Sequence, residues 1–202
     1  NLGSGFFIAQ EDLEIRGGGE VLGEKQSGHI NTVGMSLYLS ILKNAINNFK
    51  NNDEKEFTNT EINFYDSSFI NDTYLPSPLE RLKIYKSLTN ANSIEDINKI
   101  SIDLKDRCGS FTTEVKNLID DSKLLVMIKN TGVINIKSNS AKTSLLMSSN
   151  INKSIFEKIL TLVTNEPNIY SINKENKFVI NLKDDDSSVR RKTVTRLLNE
   201  II

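Results

Sequence analysis

What most limits the fold of this 202-residue chain is a change of apolar spacing in its last third, from the period of helices to that of short paired strands. Val133 to Lys137 and Thr143 to Ser148 read as two strands around a Ser-Asn-Ser turn. Ile169 to Ile172 and Phe178 to Leu182 make a second pair around Asn173 to Asn176. Strands joined by turns this short run antiparallel. A helix over 152–165, ended by Pro167, separates the two pairs, and a closing helix begins near Ser187 with Val194, Leu197, Leu198 and Ile201 facing inward. The order ββαββα predicts a small antiparallel sheet covered by helices, an α+β domain.

Three helices are expected before that sheet. Ser77, Pro78 and Glu80 match an N-cap, a first-turn proline and a capping box, with Leu79, Leu82, Tyr85 and Leu88 facing the core. A second helix starts at Ser93, carries Ile94, Ile97, Ile100 and Leu104 inward and stops at Gly109; a third runs from about Thr113 to Asn130. Glu61 to Tyr65 alternates well enough for a short strand, while 51–59, NNDEKEFTN, is polar and almost without anchors. The chain therefore divides into an amino-terminal part over 1–52, a linker over 53–60 and an α+β domain over 61–202.

Charge and cysteine content narrow the function. Lys and Arg total 25 against 26 Asp and Glu, so no excess positive charge holds nucleic acid non-specifically. Cys108 is the single cysteine and His29 the single histidine, which excludes an internal disulfide and leaves no zinc ligand set within the chain. No apolar run approaches the ~20 residues that span a bilayer. The opening Asn1-Leu2-Gly3-Ser4 has neither an initiator Met nor a signal-peptide head. We read the chain as a cytoplasmic, internal cut from a longer protein.

Glycine is concentrated at Gly17, Gly18, Gly19, Gly23, Gly28 and Gly34. Phe6, Phe7, Ala9, Gln10, Leu13 and Glu14 fit one or two helical turns before it, which Arg16 closes at the end where the helix dipole favours a cation. After it, Met35, Tyr38, Leu42, Ala45 and Phe49 have the spacing of an amphipathic helix. An Arg16 and a Gln26 on a glycine-permitted loop suit the sensing of something that moves; a helix-capping arginine beside a plain surface loop is the other reading. A nucleotide site is not indicated: no strand precedes Gly17, Gly19 and Gly23, and no Gly-Lys-Ser or Gly-Lys-Thr follows.

The string GSGFFIAQEDLEIRGGGEVLGEKQSG resembles the translocation motif shared by the transcription-repair coupling factor (Mfd) family and the fork-remodelling helicase RecG. The resemblance implies that Arg16 and Gln26, on the loop of Gly17, Gly19 and Gly23, couple ATP-driven closure of motor lobes to steps along duplex DNA. No Walker or helicase motif is present, so ATP and Mg belong to the parent protein and no cofactor is expected in this part. RecG-like chains end soon after the motif. Here about 150 residues follow, and HINTVGMSLYLSILKNAI, TYLPSPLERLKIYKSL and DLKDRCGSFTTEVKNLID resemble the coupling factor's carboxy-terminal domain. Cys108 departs from an aromatic residue usual there, and Thr112 or Thr113 from a proline.

Asp103 and Asp106 share one face near the end of the second helix, where acids oppose the helix dipole. A solvated face explains such a pair. The resemblance adds that the matching acids dock on the domain of the same protein that recruits the excision-repair protein UvrA, masking it. The parent would also engage dsDNA and stalled RNA polymerase. Asp184, Asp185 and Asp186 fit helix-start chemistry better than a metal site, while Arg190, Arg191 and Lys192 suit either phosphate contact or an exposed balanced helix. A stand-alone protein-interaction module and a RecG-like helicase fragment are the alternatives.

Overall fold

The structure is a computed structural model, and it describes residues 60–202. The helix, glycine loop and linker expected before that lie outside the described residues. The described chain falls into two compact units, one of residues 67–91 and 95–119, the other of 60–66, 92–94 and 120–202. The α+β domain expected over 61–202 includes residues of both units.

The first unit is helical. It holds α1 (Pro78–Asn90), most of α2 (Ile94–Cys108) and the first part of α3 (Thr113–Ile128). α1 starts where its capping residues require: the Ser77 side chain accepts from the Glu80 amide at 3.4 Å, and Pro78 fills the first turn. Leu82, Tyr85 and Leu88 are buried as expected, with Ile84 beside them. The buried Arg81 donates to the carbonyls of Leu75 and Pro76 at 2.7 and 3.0 Å, so it fastens the segment entering its own helix. The Tyr85 hydroxyl accepts from the Ile70 amide at 2.8 Å. Burial pushes that phenol up to about 12, although the same hydrogen bond acts the other way.

α2 buries Ile97 and Leu104 completely, but Ile94 is exposed, contrary to its assignment to the core. Ile94 is the first residue of α2, where a side chain leans beyond the packed turns. The helix stops at Gly109, whose φ of +83° is left-handed and whose amide donates to the Lys105 carbonyl at 2.8 Å.

The second unit is built on a sheet of β1 (Glu61–Asn63), β2 (Val133–Ser138), β3 (Thr143–Met147), β4 (Tyr170–Ile172) and β5 (Lys177–Ile180), in the order β1-β2-β3-β5-β4. The two strand pairs β2–β3 and β4–β5 are antiparallel, as short turns dictate, and β3 pairs antiparallel with β5. β1 is different: Glu61, Ile62 and Asn63 lie parallel to Asn135, Ile136 and Lys137, which makes the sheet mixed. No tight turn joins β1 to β2. Three helices intervene, and a long connection lets a strand enter in either direction.

Alternate residues of β2 and β3 are buried, and with Phe178 and Ile180 they form one apolar layer. Leu124 and Ile128 of α3, Ile155 and Ile159 of α4 (Lys153–Asn165), and Val194, Leu197, Leu198 and Ile201 of α5 (Ser187–Ile201) close over that layer in one core. Removing this much apolar surface from water is what holds the unit together. Between α3 and β2, Gly132 has φ +90°, and a Cβ there would lie 2.3 Å from the Ile151 Cα. The Gly132 carbonyl also accepts from Ser148 at 2.8 Å. The turn is possible only for glycine.

Candidate interaction surface on the second helix

α2 buries one side and presents the other, and the candidate site lies on the presented side. Asp103 and Asp106 are both exposed there, one helical turn apart, in the last turns of the helix. Asp103 is not bare. Arg107, four residues on, approaches it with Nη1 at 3.4 Å from Oδ2 and holds the Glu80 carboxylate of α1 through Nη2. The charge of Glu80, and then the hydrogen bond to Asp103, raise the Arg107 guanidinium above its ordinary value. A cation in the last turn also suits the helix dipole, offsetting the misplaced acids. Asp106 has no ion pair among the described residues.

Ile102, next to Asp103 and one turn before Asp106, is 62% exposed. Ile102 is not among the residues expected on the candidate face. Its signal is that it falls between the inward positions Ile97, Ile100 and Leu104, so an apolar residue is left on the polar side. At the end of α2 the Tyr74 hydroxyl donates to the Gly109 carbonyl at 3.1 Å, and the Tyr74 ring meets Phe111 edge-on at 6.4 Å. Burial, and then the neighbouring Cys108, raise that phenol. Cys108 is half-buried beside this group and free.

The second unit corrects the reading of the basic run. Arg190 and Arg191 are buried, and only Lys192 of the three is exposed, so neither an open phosphate contact nor an exposed balanced helix describes them. Arg191 forks onto two aspartates: Nη1 and Nη2 each donate to Asp66 at 2.6 Å, Nε donates to Asp121 at 2.8 Å, and Nη2 also reaches Asp121 at 3.3 Å. Its guanidinium lies 4.4 Å from the Phe64 ring centroid. Burial opposes the charge on Arg191, and the four hydrogen bonds with the two carboxylate charges overcome it, so the guanidinium is raised. For Asp66 burial alone would raise the carboxyl, but hydrogen bonds from Arg191 and Ser187 and the charges of both arginines bring it below its ordinary value.

Arg190 donates to the carbonyls of Asp184, Asp185 and Phe64 at 2.7, 2.9 and 3.0 Å. The acidic run behaves as helix-start chemistry: Asp186 caps α5, accepting from the Ser188 amide at 2.7 Å, and Asp184 accepts from the Asp186 amide at 2.8 Å. Among the described residues no cluster of His, Cys, Asp and Glu could hold a metal, and no helix is long and apolar enough to cross a membrane. Arg16, Gln26, Gly17, Gly19 and Gly23 lie outside the described residues.

These features define an α+β module that presents a charged helix face. Comparison with known proteins gives it a family. The model of the TRCF domain matches residues 66–158. Transcription-repair-coupling factors from Buchnera aphidicola and Haemophilus influenzae are 35% and 32% identical to the chain over its whole length. That of Escherichia coli is 34% identical over 69% of it. The fold matches the crystal structure of the C-terminal domain of transcription-repair coupling factor with a TM-score of 0.60, covering 71% of this chain and 93% of that one at 15% identity. The chain belongs to the transcription-repair coupling factor family. It spans 25% and 18% of the length of the first two of these relatives.

Proposed function

We propose that this chain serves a coupling factor as its C-terminal part, with two tasks in transcription-coupled nucleotide excision repair in the cytoplasm. In the first, Arg16 and Gln26 on the loop of Gly17, Gly19 and Gly23 convert lobe movement, driven by ATP and Mg in the parent protein, into translocation on dsDNA that displaces stalled RNA polymerase. In the second, the α2 face of Asp103 and Asp106 docks on basic side chains of the UvrA-recruiting domain of the same protein and masks it. The observation that carries the second task is the outward placement of both acids on a helix whose other side is buried, in a chain of this family. Desolvated opposite charges couple by roughly 1.5 to 7 kcal/mol, enough to favour a closed state that remains reversible.

In the full-length protein, Asp103→Ala with Asp106→Ala should raise UvrA binding by about tenfold or more, the equivalent of ~1.4 kcal/mol of lost docking. Unchanged UvrA binding would remove the masking role. Arg16→Ala or Gln26→Ala should keep ATPase activity and lose RNA polymerase displacement. Normal displacement in both would discard the coupling role.

A further inference from the structure

We propose that Arg107 is an internal competitor for the docking face: it occupies Asp103 while the face is open and withdraws onto Glu80 when a basic partner arrives. The proposal rests on the docking role given to Asp103 and Asp106 above and adds its regulation.

The geometry sets up an exchange. One guanidinium carries five N–H donors in a planar fork and so can serve two carboxylates at once. Arg107 does so, with Nη1 on Asp103 and Nη2 on Glu80. The Arg107, Asp103 and Glu80 side chains are 43%, 59% and 41% exposed, and ion pairs this open to water are weak and easily broken. A lysine or arginine of a docking partner is attracted to the same carboxylate that Arg107 already covers. Glu80 removes the obstacle, because Arg107 can leave Asp103 without losing its last carboxylate.

Glu80 is well placed to hold it. Its backbone is fixed in the first turn of α1 by the Ser77 cap, so the carboxylate starts from a settled position. Asp106, with no ion pair among the described residues, is the open acid that an incoming cation meets first. Arg107 therefore sets how tightly the face closes, and Glu80 sets how readily Arg107 steps aside.

The experiment is a titration of the full-length coupling factor with UvrA, comparing wild type, Arg107→Gln, Glu80→Gln, the double variant and Asp103→Asn. Masking raises the apparent Kd for UvrA in inverse proportion to the open population. Arg107→Gln should raise it about 2–5-fold, the range an exposed ion pair allows, and Glu80→Gln should lower it by a similar factor. The double variant should match Arg107→Gln, since without the guanidinium Glu80 has nothing to hold. A double variant close to wild type would mean that only net charge matters, and would overturn the competitor. So would an apparent Kd that Arg107→Gln leaves unchanged or lowers, the latter being the sign of a merely structural arginine. If Asp103→Asn fails to lower the apparent Kd, the docking role itself is wrong; if it lowers it while Arg107→Gln does not raise it, the docking role stands and only the competitor falls.

Discussion

Replacing Arg191 by Met tests the energetics of the sheet unit most directly. The substitution keeps an unbranched apolar stem and removes a guanidinium that makes four hydrogen bonds to Asp66 and Asp121. The two aspartate side chains are 21% and 11% exposed, so water replaces few of the lost partners. Removing one partner of a buried ion pair typically costs about 3–5 kcal/mol, because the remaining charge is stranded. We expect that loss at pH 7, with the contact on the Phe64 ring included. The pH dependence supplies a second check. In the wild type the Asp66 carboxyl lies below its ordinary 3.8, so its contribution is present above that value and is lost as pH falls through the lowered one. In the variant the hydrogen bonds and charge of Arg191 are gone and only the Ser187 hydrogen bond and the Arg190 charge still oppose burial at Asp66, so that carboxyl takes up its proton at higher pH than in the wild type and sheds part of its penalty. The difference between the two proteins should therefore shrink from pH 7 to pH 4. Urea unfolding followed by far-UV circular dichroism measures it, as the chain has no tryptophan. A loss below ~1 kcal/mol, the range of an exposed pair, or a deficit of the same size at both pH values, would refute the reasoning.

Two further outcomes follow from the fold. Tyr85 is pushed up to about 12 from 10.0, so its contribution is intact below pH 10 and is lost as pH rises through 12; a two-unit shift corresponds to roughly 2–3 kcal/mol. Tyr85→Phe should abolish that alkaline loss while costing about 1–3 kcal/mol at neutral pH for the orphaned Ile70 amide, both read from unfolding curves at pH 7 and 11.5. Gly132→Ala should destabilise by at least ~2 kcal/mol, since it combines a left-handed backbone with a clash on main-chain atoms, and an unchanged melting temperature would contradict the geometry of that turn.

How much of this was legible depended on whether the information was local. The helix start at Ser77-Pro78, the stop at Gly109 and the two tight strand pairs are written in neighbouring residues and stand where expected. The entry of β1 parallel to β2 is not local, because nothing near Glu61 names its partner at Asn135. The same holds for Arg191: within its helix it reads as surface charge, and only the arrival of Asp66 and Asp121 makes burial tolerable. That Asp103 and Asp106 share one helix face could be read from spacing, while the docking role given to them comes from the resemblance. Arg107's second carboxylate, contributed by α1, could not be read that way.

The pairing of Asp66 with Arg191 across 125 residues also bears on the order in which a ribosome delivers this protein. β1 is made first among the described elements, yet its neighbour β2 follows only after three helices, and the arginine that fastens the segment beyond β1 arrives with the last helix. Until then Phe64 lacks the cation that lies over its ring. A nascent polypeptide halted before α5 would thus carry an unfinished edge of sheet, a natural target for chaperones or proteases.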